Sequence, residues 1–81
     1  MDLIQAHQHS KNNKTEILNS HVCGCFHCKK IFKPNEIKNW LNDKKDQTAL
    51  CPSCQIDAVV GDASGFEITE IFLNDMNKKW F

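Results

Sequence analysis

Two Cys-x-x-Cys pairs, Cys25-Phe26-His27-Cys28 and Cys51-Pro52-Ser53-Cys54, constrain this chain more than any other feature in it. Two intervening residues let both sulfurs of a pair, with the nearby backbone N–H groups, turn toward one point. The 22 residues between Cys28 and Cys51 are a hairpin's worth of chain that brings the pairs together. The spacing predicts one tetrahedral structural zinc (Zn2+) held by Cys25, Cys28, Cys51 and Cys54.

Size makes such a staple necessary. A chain of 81 residues with 41% hydrophobic content is one small domain, and its single core supplies only a few kcal/mol. Zinc binding in small modules contributes about 10–16 kcal/mol at neutral pH, so the metal outweighs the core. A disulfide framework is the rival reading of the same cysteines. Five thiols is an odd number, no apolar stretch resembles a signal peptide, and the start Met1-Asp2-Leu3-Ile4-Gln5 has no basic residue. No segment approaches the length needed to cross a membrane and no lipidation signal is seen, so a cytoplasmic protein is expected.

Ten lysines balance ten acids, and arginine is absent. Arginine is the usual reader of guanine edges and the usual bidentate phosphate clamp, so sequence-specific DNA recognition loses its commonest tool. The pairs Lys29-Lys30, Lys44-Lys45 and Lys78-Lys79 are scattered in sequence and offset by Asp43, Asp46 and Asp75, which reads as solvated surface.

The chain divides near Ser20. Residues 1 to 20 are polar, with apolar positions limited mainly to Leu3, Ile4, Ala6, Ile17 and Leu18, and read as a flexible N-terminal arm with two short elements. Residues 21 to 81 form the zinc-binding domain. Val22 to Phe26 and Ile31-Phe32 flank the first pair as a hairpin whose turn is a metal knuckle. Pro34 suits a first helical position, and Ile37, Trp40 and Leu41 share one helical face, so a helix is expected from Pro34 to about Asn42. Asp43 to Gln47 reads as an exposed turn, Thr48-Ala49-Leu50 as a short strand, and Ile56 to Val60 as packing around the metal or a further strand. After the turn Gly61-Asp62-Ala63-Ser64-Gly65, Thr69 caps a final helix with a staple between Ile68 and Leu73. Phe72, Met76 and Trp80 line one face of that helix. The expected fold is a small α+β zinc-binding domain, zinc-ribbon or treble-clef-like, with two short helices and a flexible arm.

Ligand assignment has one ambiguity. Cys23 lies two residues before Cys25, so a set of Cys23, Cys28, Cys51 and Cys54 is the alternative, although Cys25 gives the two pairs matching geometry. Outside the site, Cys23 reads as a small buried thiol. His27 then faces solvent from inside the first knuckle, while His7, His9 and His21 read as surface histidines. Lys29 and Gln55 stand where zinc knuckles usually carry glycine, which predicts mild strain there.

Catalytic readings fail on the residues. A zinc-supported nuclease needs a catalytic histidine between the pairs, and Lys29 to Leu50 contains none. A four-sulfur site leaves no open position for Lewis-acid chemistry. Duplicated pairs in short-strand context do not resemble a redox centre at a helix start, and three dispersed glycines make no phosphate loop. No catalytic residue is assigned and no enzyme is expected.

With these elements placed, a resemblance can be stated. The chain from Cys25 to Phe81 resembles a family of small, uncharacterised bacterial and phage proteins, often called only cytoplasmic protein, with a double Cys-x-x-Cys zinc core. The likeness is carried by Cys25-x-x-Cys28, Ile31-Phe32-x-Pro34-x-Glu36-Ile37, Trp40, Thr48-Ala49-Leu50-Cys51-Pro52-x-Cys54, Ile56-Asp57, Gly61-Asp62 and Trp80-Phe81. The resemblance implies a zinc-binding fold without an assigned activity. Neutral charge, small size and a closed site then lead to a zinc-stapled module that binds another protein, in the manner of a phage or prophage modulator of a host protein. The alternative is a nucleic-acid-binding zinc ribbon, with Lys29, Lys30, Lys33 and Lys38 on its phosphate face and His27 or Phe26 at the knuckle tip.

Overall fold

A computed structural model describes residues 2–42 and 44–81. Among these, α1 spans Leu3–Gln8, α2 Lys14–Leu18, β1 Cys23–Cys25, β2 Ile31–Phe32, β3 Trp40–Asn42, β4 Gln47–Ala49, β5 Val59–Gly61 and α3 Glu70–Trp80. Single 3-10 turns lie at Pro34–Glu36 and Asp62–Ser64. Two small antiparallel sheets result, one ordered β2-β1-β5 and the other pairing β3 with β4. None of the helices described is long and apolar enough to cross a membrane.

β1 is the central strand. Cys23 pairs with Phe32 on one side and with Gly61 on the other, and Gly24 sits between Ile31 and Val60. A side chain at Gly24 would stand 2.9 Å from Ile68 Cγ2 and from Leu73 Cδ1. The missing Cβ is therefore what lets the start of α3 lie directly on β1. The same two apolar residues bracket the N-cap, where Thr69 Oγ1 accepts the Phe72 N–H at 3.1 Å, as the expected cap and staple require. Phe72, Leu73 and Met76 are fully buried, whereas Trp80 is 36% exposed because the last turn of α3 runs past the core.

The helix expected from Pro34 to Asn42 does not form. One 3-10 turn follows Pro34, closed by the Glu36 carboxylate accepting the Lys33 N–H at 2.7 Å, and Ile37 is already extended with ψ 125°. Trp40 to Asn42 instead pair with Gln47 to Ala49. Three apolar residues at helical spacing weigh little against a ladder that satisfies backbone groups on both strands. Trp40 is half-buried, whereas Leu41, 47% exposed, faces solvent. The first residue of the turn expected after this segment, Asp43, lies outside the described residues.

Residues 2 to 20 are not a flexible arm. Asp2 Oδ1 accepts the Gln5 N–H at 3.0 Å and caps α1, and Ala6 and Ile17 are fully buried. α2 is capped from a distance, since Asp46 Oδ2 accepts from Thr15 N at 3.1 Å and from Thr15 Oγ1 at 3.0 Å. That N–H bond is the foremost cause holding the Asp46 carboxyl below its usual range. Asn13 is buried and binds two strands at once: Nδ2 donates to Val59 O at 2.9 Å and Oδ1 accepts the Ala49 N–H at 3.0 Å. Farther along, Ser20 Oγ accepts the Ala63 N–H at 3.0 Å, and Asp62 Oδ1 accepts the His21 N–H at 2.8 Å. Polar side chains dock this segment, which an apolar count cannot register.

Candidate metal centre

Each knuckle is built by the same backbone bonds. In the first, Cys25 N–H donates to Lys30 O at 3.0 Å and Lys29 N–H to Cys25 O at 2.8 Å; in the second, Cys51 N–H donates to Ile56 O at 3.1 Å and Gln55 N–H to Cys51 O at 2.9 Å. The N–H two residues after each leading cysteine points at its sulfur: His27 N to Cys25 Sγ at 3.4 Å, and Ser53 N to Cys51 Sγ at 3.3 Å. Closing such a turn needs a left-handed residue just after the second cysteine. Lys29 (φ 66°) and Gln55 (φ 63°) occupy those positions.

The strain expected from missing glycines is thus located. A left-handed residue bearing a Cβ costs about 1–2 kcal/mol, part of which glycine returns through the unfolded chain's greater freedom. We expect Lys29→Gly and Gln55→Gly each to stabilise the metal-loaded protein by about 0.5–1 kcal/mol in urea unfolding. A loss of stability in both would show that the side chains, not the backbone, govern the turns.

The four sulfurs of Cys25, Cys28, Cys51 and Cys54 lie within 4.8 Å of one another. Cys25 Sγ is 3.7 Å from Cys54 Sγ, and Cys28 Sγ is 3.6 Å from Cys51 Sγ. A tetrahedron with metal–sulfur bonds of about 2.3 Å has edges of about 3.8 Å, so the spacing fits a metal ion. A disulfide needs about 2.05 Å, and all five cysteines are free thiols. Cys25 and Cys51 are fully buried, Cys54 is half-buried, and Cys28 is at the exposed rim.

Burial pushes the Cys25 thiol well above its ordinary range despite N–H groups from Cys28 and His27. Burial is the largest single influence on Cys51 too, but the N–H groups of Cys54 and Ser53 and the thiols of Cys28 and Cys54 together outweigh it and the thiol is lowered. Cys54 is raised, chiefly by burial. Such a cluster becomes four thiolates when a cation supplies the compensating charge. Cys23 stands apart on β1, fully buried, its thiol pushed up to about 12 by burial and then by the Asp62 charge. That is an inert core thiol and not an activated nucleophile.

No family model, curated protein or solved structure matches the chain. The assignment of the centre therefore stands on its own geometry.

The histidines fall outside the cluster. His27 is exposed, its ring packed edge-on against Phe81 with centroids 4.7 Å apart. His21 is exposed as expected, but His7 and His9 are half-buried. The His7 ring lies 4.1 Å from that of Trp80, and His9 Nδ1 lies 3.0 Å from Glu16 Oε1. Docking of the N-terminal segment is what takes both off the surface. Sequence reasoning also missed Asn77, whose Nδ2 donates to Phe26 O and His27 O, each at 3.0 Å, and so ties α3 to the first knuckle. A single asparagine beside a buried helix face carries no signal for that contact.

Proposed function

We propose that Cys25, Cys28, Cys51 and Cys54 hold one structural zinc and that the domain works by binding a macromolecular partner on the surface this metal supports. The observation that carries the reading is the pair of matched knuckles, which place four sulfurs at tetrahedral spacing. Four thiolates fill a tetrahedral shell, so we assign the centre no catalytic role. Bound zinc supplies the positive charge that keeps the sulfurs ionised. The chain's own residues orient them: the N–H groups of His27 and Ser53 aim at sulfur, and β1, β2 and β5 fix the first knuckle against the second. We read the core as zinc-ribbon-like rather than treble-clef-like, because strand β5 follows the second knuckle and α3 begins only at Glu70.

Native mass spectrometry of the purified chain tests the metal. The expected species is one protein with one zinc, colourless in solution. A protein that carries iron, or none of whose molecules carries zinc, contradicts the reading. Neutral charge first directs attention to a protein partner. The distribution of the lysines over the folded surface supports a polyanion more strongly.

A further inference from the structure

The zero net charge conceals a division along the chain. From Lys29 to Lys45 there are six lysines and two acids, whereas from Asp46 to Asn77 there are six acids and no lysine. Lys78 and Lys79 then return at the end of α3. Separate in sequence, the 29–30 and 78–79 pairs are brought to one end of the molecule by the fold. Asn77 is bonded to the carbonyls of Phe26 and His27 in the first knuckle, and Phe81 packs on the His27 ring. The four lysines are all exposed.

Two large aromatic rings sit among these charges. Phe81 is 60% exposed and Trp80 36% exposed, and Lys79 Nζ lies 5.4 Å from the Trp80 ring centroid. The rings are held in place rather than free. Trp80 Nε1 donates to Leu3 O at 3.3 Å and its ring meets that of His7 at a tilt of 37°, while Phe81 also meets Phe26 with centroids 5.8 Å apart. Asp2 lines a pocket with Lys79 but is engaged in capping α1, Asp75 lies three residues before Lys78, and Asp57 adjoins Ala58, whose carbonyl accepts the Phe26 N–H. Lys78 and Lys79 also complement the negative end of α3, a role that leaves their ammonium groups accessible to a ligand.

We infer that this end of the molecule, formed by the first knuckle and the last turn of α3, docks single-stranded nucleic acid. Phe81 and Trp80 offer stacking surfaces for unpaired bases, and Lys29, Lys30, Lys78 and Lys79 neutralise phosphates. Fixed aromatic rings with lysines around them are the combination that single strands use, because every base has a π-face and every linkage a charge. A duplex hides its base faces, and this chain has no arginine with which to read base edges in the groove.

The inference rests on the zinc-stapled reading and is tested on the zinc-loaded chain by fluorescence anisotropy with a labelled oligothymidylate. Binding at low salt should weaken as salt rises, with a slope of about −3 in log K against log salt for four phosphate contacts. A Lys78→Ala/Lys79→Ala double variant should reduce that slope by about 1.4. Phe81→Ala should weaken binding about fivefold or more while leaving the slope unchanged. Absence of binding at low salt overturns the proposal. So does equal affinity for a blunt duplex with no effect of Phe81→Ala, and so does competition by polyglutamate as strong as by unlabelled oligothymidylate, which assigns the face to acidic protein segments. Zinc content and circular dichroism of the same samples keep the two readings separate. Folded, zinc-loaded protein that ignores the oligonucleotide overturns the docking face alone, and a metal-free folded protein overturns the staple.

Discussion

Cys51→Ser is expected to lose its zinc and with it the cooperative fold. Cys51 is fully buried and receives the Ser53 N–H at its sulfur, and that sulfur lies 3.6 Å from Cys28 Sγ, so it has no room to be replaced by solvent. A serine hydroxyl is a poor ligand, and it would leave three thiolates around a dication or three thiols with no metal to hold them together. The metal contributes about 10–16 kcal/mol in modules of this size, against a total stability of about 5–15 kcal/mol for an ordinary domain. The variant should therefore show no cooperative transition in urea and a far-UV spectrum of an unfolded chain. Stripping zinc from the wild type with a strong chelator should give the same spectrum, reversed when zinc is restored. Cys23→Ala is the control. It removes a buried thiol from β1 without touching the cluster, and should keep one zinc per chain while losing only about 1–2 kcal/mol. Zinc loss in Cys23→Ala with retention in Cys25→Ala would transfer the ligand role to Cys23.

The second large effect is expected far from the metal, at Asn13. The residue is 3% exposed, and its side chain donates to His9 O and Val59 O and accepts from Ala49 N. Val59 lies on the sheet that carries the first knuckle, and Ala49 lies on the strand leading into the second. Asn13 thus joins the two halves of the metal site through buried backbone groups. Asn13→Ala strands two buried backbone partners, each costing about 1–3 kcal/mol when unsatisfied, so a loss of about 2–6 kcal/mol is expected in urea unfolding. Zinc should still bind. The Lys14 ammonium stands 5.2 Å from the Trp40 ring centroid, so release of α2 should also alter tryptophan emission. A change below about 0.5 kcal/mol would show that water or a neighbour satisfies both groups.

These two residues mark what the sequence could and could not convey. The cysteine spacing expressed a geometric requirement directly, and the four sulfurs meet where that requirement put them. Lys29 and Gln55 expressed another, since the knuckle demands a left-handed residue whatever its side chain. Thr69 with Ile68 and Leu73 gave α3 its start, because capping is local. Asn13 had no local signature. Its partners lie 36 and 46 residues away, and a polar segment with few apolar residues looked loose because hydrogen bonding to distant backbone leaves no periodicity. The stretch after Pro34 failed for a related reason. Ile37, Trp40 and Leu41 fit a helical face, but pairing with Gln47 to Ala49 is a tertiary gain that spacing alone does not contain. Charge needs the fold in the same way: the residues that flank Lys29-Lys30 and Lys78-Lys79 meet only once Asn77 has tied α3 to the first knuckle.

The central claim is that one zinc sits in a closed shell of four sulfurs, and X-ray absorption at the zinc edge of the purified protein measures that shell directly. The account predicts four sulfur neighbours at about 2.3 Å and no nitrogen or oxygen. A shell with a histidine nitrogen or a water oxygen at about 2.0–2.1 Å would contradict it, because the site would then be open or built from different residues.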